Sequence, residues 1–340
     1  MTVSASRYIP VATCVVLLLF AANLFWGSVD IPFAEVAAIL TGGGSDRPSW
    51  SFIVLESRLP QALTALLVGA SLAAAGLMLQ TVFANPLAGP SILGVEAGAS
   101  LGVALVMLSL GGTGGLFFGG YLAVVAGAFA GAAVVLAVVI FFSTLVRSNV
   151  MLLIIGLMVG YVASSLISLL NFFATAEGVH SYTLWGMGDF SGVSLRQMPF
   201  LCVALGMGLA IAALSVKPLD ALLLGERYAA NLGVRTRRVR LLLLVSTGIL
   251  TATSTAFCGP VTFLGLAVPH LARLLTGSAR HTTLLPVTLL TGSAVALMCN
   301  LICVLPGSAG MIPLNAVTPV LGAPVIIYVI VNQRKIQYFN

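Results

Sequence analysis

LPQALTALLVGASLAAAGLMLQTVFANPLAGPSILGV, running from Leu59 to Val95, carries no charged residue. One helix needs only about 20 apolar residues to cross the hydrocarbon core. The stretch is 37 residues long, so it holds more than one crossing. The same holds for Ala97–Val146 and Thr282–Gln333, which are also free of charge. Over the whole chain 59% of residues are hydrophobic, 7% are charged and the mean hydropathy is +1.13, which excludes a soluble domain. Glycine, 36 of 340 residues, is scattered through the apolar runs, where it suits close helix contacts in lipid better than flexible linkers. These features predict an all-α polytopic membrane protein, a single transmembrane domain over 1–340.

Dividing the runs at their polar, Pro and Gly breaks gives about ten crossings, near 10–27, 59–82, 92–109, 116–142, 150–173, 198–215, 240–258, 262–276, 284–305 and 315–331. A second reading of the first is a cleaved signal peptide, since Arg7 precedes an apolar core, but no small-x-small cleavage site follows it. The 262–276 segment is short and contains Pro269 and His270, which fits a partial or tilted helix.

The basic residues set the orientation. With the N-terminus inside, 12 of them lie on the cytoplasmic side: Arg7, Arg147, Lys217, Arg227, Arg235, Arg237, Arg238, Arg240, Arg273, Arg280, Arg334 and Lys335. Only Arg47, Arg58 and Arg196 lie outside. Both termini are therefore expected in the cytoplasm. The basic balance records this asymmetry and requires no nucleic-acid partner. The densest charge falls in K217-PLDALLLGERYAANLGVRTRRVR-240, a cytoplasmic loop between the sixth and seventh crossings with six of the 15 basic residues. Its centre reads as short amphipathic helix pieces joined at Gly225 and Gly233. A merely solvated loop obeying the positive-inside rule accounts for Arg235–Arg240. It does not account for the apolar Leu222–Leu224 and Leu232–Val234 beside them.

Little here points to catalysis. The five cysteines sit in apolar segments with no metal or redox spacing, and His180, His270 and His281 are scattered. No Ser-His-Asp or paired-carboxylate arrangement stands out. Glu96 is the sole candidate intramembrane acid, readable as a proton relay or as an interfacial helix-start residue. A faint repeat joins Gly89-Pro90-Ser91-Ile92-Leu93-Gly94 to Gly259-Pro260-Val261-Thr262-Phe263-Leu264-Gly265. An offset of five crossings reverses the second copy, so two inverted halves are expected.

Four stretches carry a family resemblance: R58-LPQALTALLVGASLAAAGLMLQTVFANPLAGPSILGVEAGAS-100, G225-ERYAANLGV-234, G259-PVTFLGLAVPHLAR-273 and V317-TPVLGAPVIIYVI-330. In order and over nearly the whole chain, they resemble the FecCD-type permease subunits of ABC importers for cobalamin, heme and iron-siderophores. The resemblance implies a multi-pass inner-membrane permease, paired with a second copy as a homodimer. Two cytoplasmic ATPases would bind ATP and Mg, an external binding protein would supply substrate, and lipid would surround the assembly. The chain has no G-x-x-x-x-G-K-[ST] motif, so hydrolysis falls to a separate subunit and no cofactor is expected here. Gly225, Glu226, Ala229, Ala230, Leu232 and Gly233 are the expected coupling surface.

Gln80 and Asn85 are costly facing lipid, and Pro86 ends the helix, so Gln80, Asn85, Pro86 and Leu87 are pathway candidates. The resemblance places Asn85 and Leu87 near a cytoplasmic gate, with Ser148 and Asn149 at another constriction. Asn171, Phe172 and Phe173 are candidates for an outer vestibule. Capping by Asn85 and Asn171, and ordinary packing by Met151, Met158, Phe172 and Phe173, are the plain alternatives. Arg58 resembles a family docking arginine for the binding protein; its alternative is an interfacial arginine paired with Glu56. Gln61 stands where a second arginine is frequent, Asn300 where the ninth helix has an acid, and Met311-Ile312-Pro313-Leu314-Asn315 where acid-x-Pro-x-Gly is usual. On family breadth the expected substrate is an iron-siderophore, with heme and cobalamin as alternatives. A stand-alone ion-coupled secondary transporter is the competing reading.

Overall fold

A computed structural model describes residues 5–43, 45, 47–109, 120–146, 148–304 and 311–331. Asp46, Arg147, Arg334, Lys335, the side chain of Arg7, the start of the 116–142 crossing and 305–310 of the last outer connection lie outside the described residues.

The described residues are helical, with no strand among them. In chain order the helices are α1 (Ala5–Phe25), α2 (Phe33–Leu40), α3 (Pro48–Phe52), α4 (Leu59–Val82), α5 (Val95–Ser109), α6 (Gly120–Leu145), α7 (Asn149–Phe173), α8 (Ala176–Gly186), α9 (Met198–Leu214), α10 (Val216–Leu222), α11 (Glu226–Asn231), α12 (Thr236–Cys258), α13 (Leu264–Thr276), α14 (His281–Cys303) and α15 (Leu314–Val331). Among the described residues six helices are long and apolar enough to cross a membrane. A seventh arises if α9 and α10, bent by 53°, count as one span. Three shorter apolar helices, α5, α13 and α15, occupy the third, eighth and tenth expected stretches.

Several boundaries differ from the sequence reading. The second crossing does not begin at 59: α3, a π-helical stretch over Ile53–Arg58 and α4 run on as one helix, Pro48–Val82. At about 1.5 Å per residue this helix exceeds the bilayer core, and its first turns belong outside it. The connection 174–197 contains α8, whose N-cap Thr175 accepts from the Gly178 amide. The 217–240 loop is shortened from both sides, by α10 and by the first turns of α12.

α4 is apolar on every face and is correspondingly the buried centre of the bundle, with α12, α13, α14, α9 and α1 around it. Small residues make that possible. A Cβ on Gly76 would lie 1.6 Å from the Gly265 carbonyl oxygen, so the α4 and α13 backbones touch. α7 is the opposite case: most of its side chains find no cover within the chain, including Met151, Met158, Tyr161, Phe172 and Phe173.

The two copies of the Gly-Pro repeat meet. A Cβ on Gly265 would lie 2.6 Å from Pro90 Cδ, and one on Gly89 would lie 3.7 Å from Leu266 Cβ. Each copy leads into a short helix, α5 or α13. Gly94 packs against Gly156, seven residues into α7, so α5 starts about 10 Å beyond the α7 start. Glu96 is thus a helix-start residue, but buried inside the bundle rather than interfacial.

Candidate transport and coupling sites

The coupling candidates form a hinge-bounded knob. Gly225 (φ 97°) and Gly233 (φ 83°) flank α11 with backbone angles that L side chains resist, so the knob's shape depends on both glycines. Glu226 Oε1 accepts from Arg240 Nη2 at 2.9 Å, tying α11 to the base of α12. Ala229 is fully buried, so it anchors the knob and does not belong to its surface. Ala230, Leu232 and Gly233 are exposed. The sequence reading missed Tyr228, which stands exposed between Leu224 and Leu232. An aromatic one turn from a leucine on a charged loop was the available signal.

The gate candidates gather at the C-terminal end of α4. Past Val82 the chain turns through Ala84 (φ 46°), and the Asn85 amide donates to the Gln80 carbonyl. Asn85 Oδ1 accepts from the Leu87 amide at 2.9 Å, which leaves Leu87 projecting, 43% exposed. Asn85 thus closes a turn beyond the end of α4 and does not cap the helix, whose C-cap is Phe83. Gln80 is completely buried: its Oε1 accepts from Arg273 Nη1 at 2.5 Å and its Nε2 donates to the Leu266 carbonyl at 3.1 Å. It faces a protein seam, so it does not line the pathway. His270 Nε2 is 2.7 Å from the Pro86 carbonyl and donates to it. His270 and Arg273 of α13 thus hold the end of α4 and the turn after it by bonds that no sequence spacing could reveal.

Ser148 caps α7 by accepting from the Met151 amide, and Asn149 Nδ2 donates to the Val82 carbonyl at 2.9 Å. The tertiary structure therefore brings Ser148 and Asn149 beside the 80–87 group. Asn171 and Phe172 stand at the other end of α7, about 30 Å away along its axis. Between them the outward face of α7 carries Ser164, Ser165 and Ser168, all exposed. Sequence reasoning passed over these serines, although hydroxyls at i and i+4 in an apolar helix mark a face that avoids bulk lipid.

Arg58 is 6% exposed, and its guanidinium donates to the Leu24, Phe25 and Val29 carbonyls. It is a buried staple holding the end of α1 and the next turn to the long helix. Among the described residues, Glu56 makes no ion pair with it. Gln61 and Asn300, two departures from the family pattern, are one feature. Gln61 Nε2 donates to Asn300 Oδ1 at 3.0 Å, and Asn300 Nδ2 donates to Asn23 Oδ1 at 2.7 Å. A neutral amide chain thus links α4, α14 and α1. Asn315 is likewise internal: Oδ1 accepts from the Thr262 amide, and Nδ2 donates to the Pro260 and Gly186 carbonyls. No group of three or more His, Cys, Asp or Glu among the described residues is placed to hold a metal ion.

Comparison with known proteins bears on these sites. The model of the FecCD transport family matches residues 15–332. The vitamin B12 import system permease protein BtuC of Klebsiella pneumoniae is 36% identical over 282 residues, 83% of each chain. Its counterpart from Escherichia coli O9:H4 is 34% identical over 289 residues, 85% of this chain and 86% of that one. A solved inward-facing structure assigned to the metal-chelate type of ABC transporter superposes with a TM-score of 0.82 at 29% identity, covering 96% of this chain and 99% of that one. PsaBC from Streptococcus pneumoniae shares the fold at a TM-score of 0.53 and 14% identity, over 86% of this chain and 94% of that one.

Proposed function

The chain belongs to the FecCD transport family, and from that premise we propose that it forms the membrane passage of an ATP-driven importer for a large metal chelate. The observation that carries the reading is the coupling knob. Leu224, Tyr228 and Leu232 are 62%, 68% and 65% exposed on a segment outside every span-length helix. A segment this charged does not enter lipid, and clustered large apolar groups are costly in water, so a protein surface covers them. In the proposed assembly that surface is a cytoplasmic ATPase, one per permease, which binds the ATP and Mg. Closure of the ATPases displaces the knob as a rigid lever.

Two copies pair in this reading, with the uncovered α7 face and its three serines turned to the two-fold axis and the passage. Substrate from an external binding protein passes the Asn171–Phe172 end and leaves between Asn85–Leu87 and Ser148–Asn149. A docking contribution from Arg58 acts through the 24–29 segment it fixes. The span-length helices, the bent α9–α10 pair and the three short helices make ten crossings of the inner membrane, in two inverted halves with both termini cytoplasmic. The relatives named for vitamin B12 import move the preferred cargo from an iron-siderophore to a corrinoid, with heme third.

The test is purification of the tagged permease from its own detergent-solubilised membranes, followed by identification of co-purifying chains. Recovery of a P-loop ATPase near one-to-one supports the importer. A permease that emerges alone, with vesicle transport indifferent to ATP, refutes it.

A further inference from the structure

Asp220 lies on α10, at the edge of the coupling knob; its side chain is 29% exposed, and its carboxylate is bonded to the start of α14. Asp220 Oδ1 accepts from the His281 backbone amide at 2.6 Å and from His281 Nδ1 at 2.8 Å. The His281 side chain is 1% exposed. Its other nitrogen, Nε2, is 2.9 Å from Thr81 Oγ1, on the last turn of α4, immediately before the gate turn. Thr81 Oγ1 is also 3.0 Å from the Leu77 carbonyl, within α4 itself. A carboxylate accepts only from Nδ1–H, so the ring bridges the two helices with Nε2 either donating to the threonine or accepting from it.

A simple helix cap at α14 needs only the bond to the His281 amide. The ring adds a buried second connection across 200 residues of sequence. Alongside it the knob and gate are not packed solid. Thr81, Val82, Ala84 and Asn149 on one side, and Leu222, Gly225 and Glu226 on the other, line a cleft of about 60 Å³. A displaced knob can close that cleft without moving α4, unless a stiffer link carries the motion. On the far side α13 grips the same turn through His270 and Pro86. The end of α4 and the turn after it are thus held from two sides, by His281 on Thr81 and by His270 on Pro86.

We propose that Asp220, His281 and Thr81 form a hydrogen-bonded relay that transmits displacement of the coupling knob to the inner end of α4. Asp220 and His281 are its positioning residues. The proposal rests on the importer reading above and adds to it the route by which the ATPase reaches the gate. Severing the relay uncouples the gate while the ATPase stays bound, because the Leu224, Tyr228 and Leu232 surface is untouched.

The experiment uses the intact permease–ATPase complex with Leu87→Cys as a gate reporter, in a background with the exposed Cys14 and Cys202 replaced by serine. The rate of labelling by a hydrophilic maleimide is read without nucleotide and with ATP trapped by vanadate. Asp220→Ala and His281→Gln are expected to keep the ATPase bound and hydrolysing while the ATP-dependent labelling ratio falls about fivefold, the low end of a coupling effect. Thr81→Val, which removes only the hydroxyl end, is expected to do the same if Asp220→Ala proves poorly folded. The Asp220→Ala, Thr81→Val double variant should be no worse than either single one, since one chain cannot be cut twice. A labelling ratio unchanged in Asp220→Ala and Thr81→Val overturns the relay, as does additivity of the two, or loss of the ATPase from an Asp220→Ala protein that is itself folded and monodisperse. A wild type that retains no ATPase overturns the importer reading itself, and the relay with it.

Discussion

Gly76→Ala and Gly206→Ala are the same chemical change in two apolar helices, and the structure predicts opposite outcomes. At Gly76 the new methyl lands 1.6 Å from the Gly265 carbonyl oxygen, whereas real Cβ contacts almost never fall below 3.0 Å. The α4 and α13 backbones must therefore part by at least 1.4 Å, the difference between those two distances. A gap of that size forfeits about half or more of each dispersion contact along the seam, and overpacking of this kind costs about 3 kcal/mol. The seam also holds the Gln80 to Leu266 and His270 to Pro86 bonds, at about 1 kcal/mol each. The expected loss is about 3–5 kcal/mol. At Gly206 nothing lies within 4 Å of the added methyl, and alanine is the better helix former by about 1 kcal/mol. Thermal denaturation of the detergent-purified protein, followed by the fraction remaining monodisperse, should place Gly76→Ala many degrees below wild type and Gly206→Ala at or above it. Equal transition temperatures for the two variants would refute the close α4–α13 approach.

Tyr228→Asp with Leu232→Asp should abolish co-purification of the ATPase while the transition temperature stays within about 2 °C, because neither side chain packs on the bundle. His270→Ala releases the Pro86 carbonyl but leaves Gln80 its bond to Arg273. Labelling at Leu87→Cys without nucleotide should rise severalfold, and an unchanged rate counts against the clamp. Asn300→Asp places an unpaired carboxylate beside Gln61 and Asn23 and should cost about 3 kcal/mol, read as lost thermal stability. Adding Gln61→Arg should recover most of it; a double variant as unstable as the single one would show that the two positions do not pair.

Much of the fold was legible because the membrane demands it. A charge-free run such as Leu59–Val95 has no option but helices, since lipid offers no partner for exposed backbone groups. Breaks at Asn85-Pro86 and Gly259-Pro260 told where helices end, because proline and glycine act locally. The knob between Gly225 and Gly233 was legible for the same reason. Helix α8 and the backward extension of α4 to Pro48 were not, as both lie in mixed polar sequence where hydropathy carries no periodic signal.

The sites divide along the same line. That Asn85 and Leu87 mark a helix end, and that the 217–240 loop stays out of the apolar helices, follows from which residue types lipid tolerates and which it excludes. That Gln80 is wholly internal, that Arg58 is a buried staple, and that Gln61 answers Asn300 follows only from contacts between residues far apart in the chain. Sequence by itself determined which segments are long apolar helices, because that is a property of each segment's own composition. Only the tertiary structure decided which polar groups meet, Asp220 with His281 and His270 with Pro86, because hydrogen bonds require angstrom proximity that packing alone sets.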